Sequence, residues 1–285
     1  MRILYILSDL AYFLLYYIIG YRKEIVMENL AIAFPGRPVK DRIAIAKEFY
    51  LNFTDNFIEA IKLVSASKSF LTKHFKVDNP ELIQHYFNQG RKCQLHLGHN
   101  FNWEMANMVM PYYTEYHFLV VYMPIENSIF NRIFLKIRSR TGTGLLSAMS
   151  LSRSILSYRK TQYMLTLVAD QAPAKLSSSY WSYFFGRPTP FMQTPEKGAR
   201  IADIPVLFGR IYKTKRGYYR ASLVEGSENP ASLPEGELTR RYIQFLEQTI
   251  SQNPSLWLWT HKRWKHPWKP ENSKGWIGEK GPPAE

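Results

Sequence analysis

The chain has 285 residues, 46% of them hydrophobic and 21% charged, enough for one large domain with a small appendage, which excludes the disordered and collagen-like classes. Its single cysteine, Cys93, excludes an intrachain disulfide and a Cys-rich metal site, and points to a cytosol-facing location. Thirty-seven Lys and Arg against 23 Asp and Glu give +14, so an anionic partner is expected, and an aromatic share of 15% with 19 Tyr and 7 Trp leans toward a bilayer interface over nucleic acid.

Residues 3–19, ILYILSDLAYFLLYYII, are apolar except at Ser8 and Asp9. The run is slightly short for a spanning helix, which needs about 20 apolar residues. A cleaved signal is a poor match, because no small-x-small site follows the apolar core. Residues 3–20 are therefore read as a membrane-inserted or interfacial helix, with a buried core helix as the alternative. Arg22, Lys23, Arg37 and Lys40 follow it, which places the remaining chain on the cytoplasmic side if the helix spans.

Residues 22–34 and 40–64 are predicted helices, split by Pro35-Gly36. In the second, Ile43, Ala46, Phe49, Tyr50, Phe53, Phe57, Ala60 and Ile61 recur mostly at three- and four-residue steps. From residue 76 the pattern changes. Strand-like runs at 91–98, 116–122, 163–169, 205–212 and 218–224 alternate with helix-like stretches at 102–112, 127–140, 195–203 and 235–252. Such alternation predicts an α/β layer fold. Lys215-Arg216-Gly217 reads as a hairpin turn, so the central sheet is expected to be mixed and flanked by helices. The expected organisation is a helical membrane-associated segment over 1–75, an α/β core over 76–270 and a frayed tail over 271–285.

The sharpest chemical feature is Gly98-His99-Asn100-Phe101-Asn102-Trp103-Glu104. It joins the strand-like KCQLHL to the helix-like WEMANMVM. On one continuous helix, side chains five apart would point about 140° away from each other. With His99 in the turn before the helix, the Glu104 carboxylate is expected to reach back to the imidazole. That is the logic of a general base and the group that orients it. Gly98 would allow close backbone approach, and the helix start would offer N–H groups to a developing oxyanion. The competing reading is a helix cap beside an unrelated histidine. His96, in mid-strand, is read as a packed histidine. The sequence has no Gly-x-Ser-x-Gly elbow, no Gly-x-Gly-x-x-Gly, no Walker loop and no His-Glu-x-x-His. A base acting directly on a substrate hydroxyl is the economical chemistry, with neither metal nor cofactor.

The chain resembles the bacterial lipid A late acyltransferases (lauroyl and myristoyl transferases), within the wider lysophospholipid acyltransferase group. The resemblance rests on Tyr21-Arg22-Lys23, Asn29-Leu30, Ala33-Phe34-Pro35, Gly98-His99 and Asn102-Trp103-Glu104. It continues through Val121-Tyr122, Pro124, Asn131, Arg138, Gly142 and Ala169-Asp170-Gln171. Phe184-Phe185-Gly186 and Trp257-Leu258-Trp259-Thr260-His261-Lys262-Arg263-Trp264-Lys265 complete it. It implies a glycerolipid-acyltransferase-like fold, with His99 as general base and Glu104 as its partner in an HX4E motif. It also implies Arg138 before a Gly-containing turn, Asp170 at a strand end and Gln171 beside it as substrate-binding residues. Arg140 is close enough to be confused with Arg138. Phe185 lies in a loop that the family keeps near its site.

Arg138 suits a phosphate, which a guanidinium grips in bidentate fashion; a solvated basic helix face is the alternative. Asp170 suits a structural hydrogen-bonding role equally well. Residues 257–269, WLWTHKRWKHPWK, carry four Trp among Lys262, Arg263, Lys265 and Lys269. At a membrane this stretch, Arg263 included, would read anionic headgroups; on nucleic acid it would be a stacking patch. Trp257, Trp259 and His261 also share one face of an extended segment, which leaves a buried strand open. The turn Ser139-Arg140-Thr141-Gly142-Thr143-Gly144 departs from the family's best-known members, which bears on the acceptor more than on the reaction.

The resemblance implies an O-acyltransferase on the cytoplasmic face of the bacterial inner membrane. It would take an acyl thioester on acyl carrier protein or coenzyme A as co-substrate, and a lipid A precursor as acceptor. The alternatives are a transferase for another membrane lipid, such as an aminolipid or glycolipid, and a basic nucleic-acid-binding protein. The last leaves the His99 and Glu104 pattern unexplained, so no nucleic acid is expected.

Overall fold

A computed structural model describes residues 1–283. Ala284 and Glu285, the end of the expected frayed tail, lie outside them. The chain opens with helix α1 (Arg2–Phe13), which continues as a π-helix over Leu14–Ile19. Helices α2 (Lys23–Ala33), α3 (Val39–Leu63) and α4 (Lys68–His74) follow. Next come β1 (Phe75–Val77), α5 (Glu81–Asn88), β2 (Cys93–Leu97), α6 (Trp103–Val109), β3 (His117–Tyr122), α7 (Ser128–Ser139) and β4 (Gly144–Ser147). Short helix α8 (Leu151–Ser154), β5 (Tyr163–Val168), β6 (Ser179–Phe184), β7 (Arg187–Met192) and α9 (Thr194–Ala202) lead to β8 (Val206–Lys215), β9 (Tyr218–Ser227) and α10 (Glu237–Gln252).

The seven-stranded sheet has the order β1-β9-β8-β2-β5-β3-β4. All its pairs are parallel except the β8–β9 hairpin. The sheet is therefore mixed and flanked by helices, as the sequence pattern indicates. Cys93, Gln94, Leu95 and His96 of β2 are all buried, as a central parallel strand covered on both faces requires. A separate hairpin, β6–β7, turns at Phe185 and Gly186. Both residues have positive φ, 51° and 72°, the pairing that a two-residue turn between twisted strands needs. The sequence reading has a loop there and no strands on either side of it. Pro188 and Pro190 in β7 hide the strand signal, because proline cannot donate to a ladder.

Helix α3 carries the packing of the N-terminal segment. Its Ala46, Phe49, Tyr50 and Phe53 are buried in the main core, with Tyr16, Val26 and Leu30 from the preceding helices. The bent pair Ile3–Ile19 and Lys23–Ala33 meets at 90°. Among the described residues no single helix is long and apolar enough to cross a membrane. One face of α1 nevertheless remains bare: Ile3, Ile6, Leu10 and Phe13 are exposed, as are Ile18 and Ile19 beyond it.

The tail does not fray at residue 270. Pro270–Gly275 forms a 3-10 helix. Trp276 then pairs with Trp181 of β6, and the Ile277 N–H donates to the Trp181 carbonyl at 2.8 Å. Trp268 and Trp276 pack edge to face, with ring centres 5.0 Å apart.

Candidate active site

Strands β2 and β5 are parallel neighbours, and Leu97 faces Val168 across the ladder. Two residues beyond each of these positions stand His99 and Asp170. The register alone therefore delivers both to the carboxyl end of the sheet, where crevices of open α/β sheets bind ligands. His99 Nδ1 lies 2.5 Å from Asp170 Oδ1, and the His99 backbone N–H donates to Oδ2 at 2.9 Å. The Trp257 indole N–H donates to the same Oδ2 at 2.6 Å. Asp170 is 1% exposed in its side chain, against 23% for His99. Burial by itself would raise the Asp170 pKa. The His99 charge and the hydrogen bonds from His99 and Trp257 outweigh burial and bring it down to about 2. An ionised carboxylate accepts, so Nδ1 carries the proton. Nε2 faces outward, 3.3 Å from the Gln171 side-chain amide nitrogen, and carries the free lone pair whenever the ring is neutral.

Gly98 makes this approach possible. A Cβ there would lie 2.8 Å from Leu246 Cδ2 and 3.4 Å from Asp170 Oδ2. The close neighbours at Gly98 are thus the protein's own side chains.

The expectation that Glu104 reaches back to the imidazole is corrected. Glu104 is buried in the first turn of α6 and pairs with Arg138 of α7. Arg138 Nε donates to Oε2 at 2.9 Å and Nη2 to Oε1 at 2.5 Å. The physical reason is the bidentate fit: a guanidinium offers two parallel donors, and the imidazole offers one that Asp170 already holds. The two pairs are nonetheless adjacent. The Trp103 indole N–H donates to Glu104 Oε1 at 3.2 Å, and its ring stands edge-on to the His99 ring at 5.7 Å. Trp103 thus separates a histidine–carboxylate pair from an arginine–carboxylate pair.

The start of α6 is fixed from below. The Asn102 side-chain oxygen caps it by accepting from the Met105 N–H, and its amide donates to Glu59 Oε2 at 2.7 Å. Glu59 is fully buried in α3 and also accepts from the hydroxyls of Tyr5 and Tyr219. Burial raises its pKa, and those hydrogen bonds only partly oppose the rise. A polar network thus ties α1, α3 and the β8–β9 hairpin to the helix that carries Glu104.

Three predicted substrate contacts have other partners. Arg140 spends its guanidinium on the carbonyls of Leu63 and Ala66 at the end of α3. Phe185 packs edge to face on Phe34, and its N–H is held by Glu247. Arg263 is fully buried, donates to the Pro190 carbonyl at 2.8 Å and lies 4.3 Å from the Phe191 ring centre. Burial lowers its pKa to about 10. Arg263 is therefore no surface cation, whereas Arg140 is exposed but has its guanidinium held at the end of α3.

The first half of the 257–269 stretch is a buried strap, the alternative that its alternation left open, while Lys262, Lys265 and Lys269 are exposed. Trp257 and Trp259 are 1% and 0% exposed. Asn100 bridges to Trp257, and the Asn29 amide donates to the carbonyls of Trp259 and His261. Two site residues were missed as such. Trp257 supports Asp170, and His261 Nε2 accepts from the Ala172 N–H at 3.0 Å. Burial lowers the His261 pKa to about 4, so it is neutral. His96 is a packed core histidine hydrogen-bonded to Gln94, as read. Among the described residues no three His, Cys, Asp or Glu side chains converge to hold a metal ion.

The family profile described as bacterial lipid A biosynthesis acyltransferase matches residues 3–266. That span contains both pairs and the strap. A comparison with curated proteins gives no match.

Proposed function

Because the chain belongs to the bacterial lipid A biosynthesis acyltransferase family, we propose that it transfers a fatty acyl chain from a thioester to a hydroxyl of a lipid A precursor. The thioester is carried on acyl carrier protein or coenzyme A. His99 Nε2 takes the proton of the acceptor hydroxyl. The oxygen attacks the thioester carbonyl, the carbon–oxygen ester bond forms, the carbon–sulfur bond breaks, and the proton passes to the departing thiolate. Asp170 holds the imidazole in the tautomer that leaves Nε2 open and stabilises the imidazolium. Arg138, charged and steadied by Glu104, supplies positive potential for the oxyanion or for a phosphate of either substrate.

One observation carries this reading: a partly exposed imidazole whose Nδ1 is fixed by a buried, ionised carboxylate at 2.5 Å, with Nε2 facing Gln171. The acyl chain needs apolar walls. A groove of about 340 Å³ between α1 and α3 supplies them through Leu15, Phe53 and Phe57. Phe53 packs on Phe101 and Phe101 on Trp103, whose ring stands edge-on to His99, so the groove and the site share one aromatic wall. The bare face of α1 lies in the cytoplasmic leaflet of the inner membrane, where acceptor and enzyme meet.

The test is a purified assay with an acyl thioester and a lipid A precursor, following free thiol and acylated product together. The reading predicts equal amounts of both, and neither with His99→Ala. Thiol release without acylated lipid A precursor would sink the assigned acceptor and direct the search to another membrane lipid.

A further inference from the structure

Helix α7 has two jobs by geometry, and only one of them is in the site. Its inner side presents Arg138 to Glu104. Its first half projects away from the core: Ile129, Phe130 and Ile133 are 65%, 57% and 46% exposed. Met123 and Ile125, just before the helix, are also exposed. At 100° per residue, Ile129, Phe130, Ile133, Phe134 and Ile137 form one apolar stripe. The stripe is buried only at its end, at Ile137. Arg132 and Lys136, both exposed and four residues apart, border the stripe beside Ile129.

The charge around this stripe is one-sided. Residues 127–169 contain seven Lys or Arg and no Asp or Glu. The nearest acid in sequence, Glu126, precedes the helix start, and Glu104 is paired with Arg138 on the inner side. A large bare apolar stripe flanked by cations, with low overall hydrophobicity, is the make-up of a helix that lies in a lipid headgroup layer. A docking site for an acidic protein would share the charge but would not need three large exposed apolar side chains in one stripe. Arg140, just after α7, is also fastened to the end of α3, where Ile61 and, just beyond the helix, Val64 are exposed.

We propose that α7, with Met123 and Ile125, is a second lipid-contacting element that lies in the headgroup layer of an anionic phospholipid bilayer. The inference rests on the membrane-surface reading above but adds a contact separate from α1. It places the lipid surface beside the helix that carries Arg138, so an acceptor could reach the site from the bilayer.

The test uses the full chain with a fluorescent environment-sensitive label at Ile133→Cys. The native Cys93 is fully buried, so labelling is confined to the new thiol. Vesicles of phosphatidylethanolamine with phosphatidylglycerol are compared with neutral phosphatidylcholine vesicles. The label is expected to shift to the blue on anionic vesicles. Arg132→Gln with Lys136→Gln, both outside the site, is expected to weaken anionic-vesicle binding roughly 30-fold, from the usual contribution of two cations near a charged surface. Ile129→Ser with Phe130→Ser is expected to weaken it by about tenfold or more, through lost apolar burial.

A chain that floats with vesicles while the label stays unchanged would overturn the α7 contact and leave the α1 reading standing. A wild-type chain that does not float at all would overturn both. A shift that depends on protein concentration without lipid would overturn the proposal in favour of a second copy of the chain. A shift produced by an acidic carrier protein and not by vesicles would overturn it in favour of protein docking.

Discussion

Replacing Asp170 by asparagine separates the two carboxylates that the sequence offers as partner to His99. Three N–H groups converge on Asp170: His99 Nδ1 on one oxygen, the His99 backbone and Trp257 on the other. Asparagine has one acceptor oxygen. If that oxygen faces Nδ1, its amide group meets two N–H donors head on. If it faces the backbone and Trp257, its amide donates to Nδ1, and the imidazole proton moves to Nε2. The second arrangement keeps a partner for the backbone N–H, the Trp257 indole and Nδ1, and is the one expected. The fold then loses only a charge-assisted hydrogen bond, about 1–2 kcal/mol. Catalysis loses its base, because Nε2 now carries the proton it should accept. The same exchange in serine proteases costs about 10⁴ in kcat, or about 5.5 kcal/mol of barrier. We expect a drop of that order in kcat, an unchanged KM for the thioester and a melting temperature within a few degrees of wild type. The assay is thiol release under saturating substrates beside a thermal melt. A variant with kcat within tenfold of wild type would refute the assignment of Asp170 as the group that sets the tautomer.

Glu104→Gln tests the other pair: KM should rise and kcat fall by less than in Asp170→Asn, with about 2 kcal/mol of stability lost because Arg138 keeps a buried charge without its counter-ion. An equal loss of kcat in the two variants would show that the carboxylates act as one unit with the base. Trp257→Phe removes one of three donors to Asp170, and kcat should fall about tenfold while the chain still folds, a loss readable as roughly 1.4 kcal/mol of barrier. Acid should destabilise the fold well before the carboxylates titrate. His96 and His261 have pKa values lowered to about 3 and about 4 from an ordinary 6.5. An unfolded chain therefore binds more protons below pH 6.5. Their contribution is complete above that pH and is lost as pH falls toward 4 and 3, with a slope of at most about 2.7 kcal/mol per pH unit from two groups. Asp170 adds to the loss only as pH falls from near 4 toward 2. Denaturant unfolding at pH 7 and pH 5 measures this, and equal stabilities would contradict it.

The elements with long, regular patterns were legible. Helices α3 and α10 show the three- and four-residue apolar step, and β2, β5, β8 and β9 are compact apolar runs. The parallel pairing of β2 with β5 is a different matter, because it joins residues 71 positions apart. Sequence proximity favoured Glu104 as the histidine's partner, whereas sheet register brings Asp170 to it. Composition leaves the strap undecided. Tryptophan with arginine and lysine describes a membrane anchor and a packed aromatic core equally well, and only burial separates Arg263 from a surface cation. Arg140 and Arg138 sit two residues apart on a basic helix. Which of them faces Glu104 follows from helix rotation and from the free carbonyls that end α3, and neither is visible in a string of letters.

The central claim is that His99, held by Asp170, drives acylation of a lipid A precursor. The most direct test is mass spectrometry of lipid A from cells carrying the wild-type gene, no gene, or His99→Ala. The account predicts that lipid A lacks one acyl chain in both the deletion and the variant, with variant protein present at wild-type level. Unchanged lipid A in the deletion, or full acylation restored by His99→Ala, would contradict it.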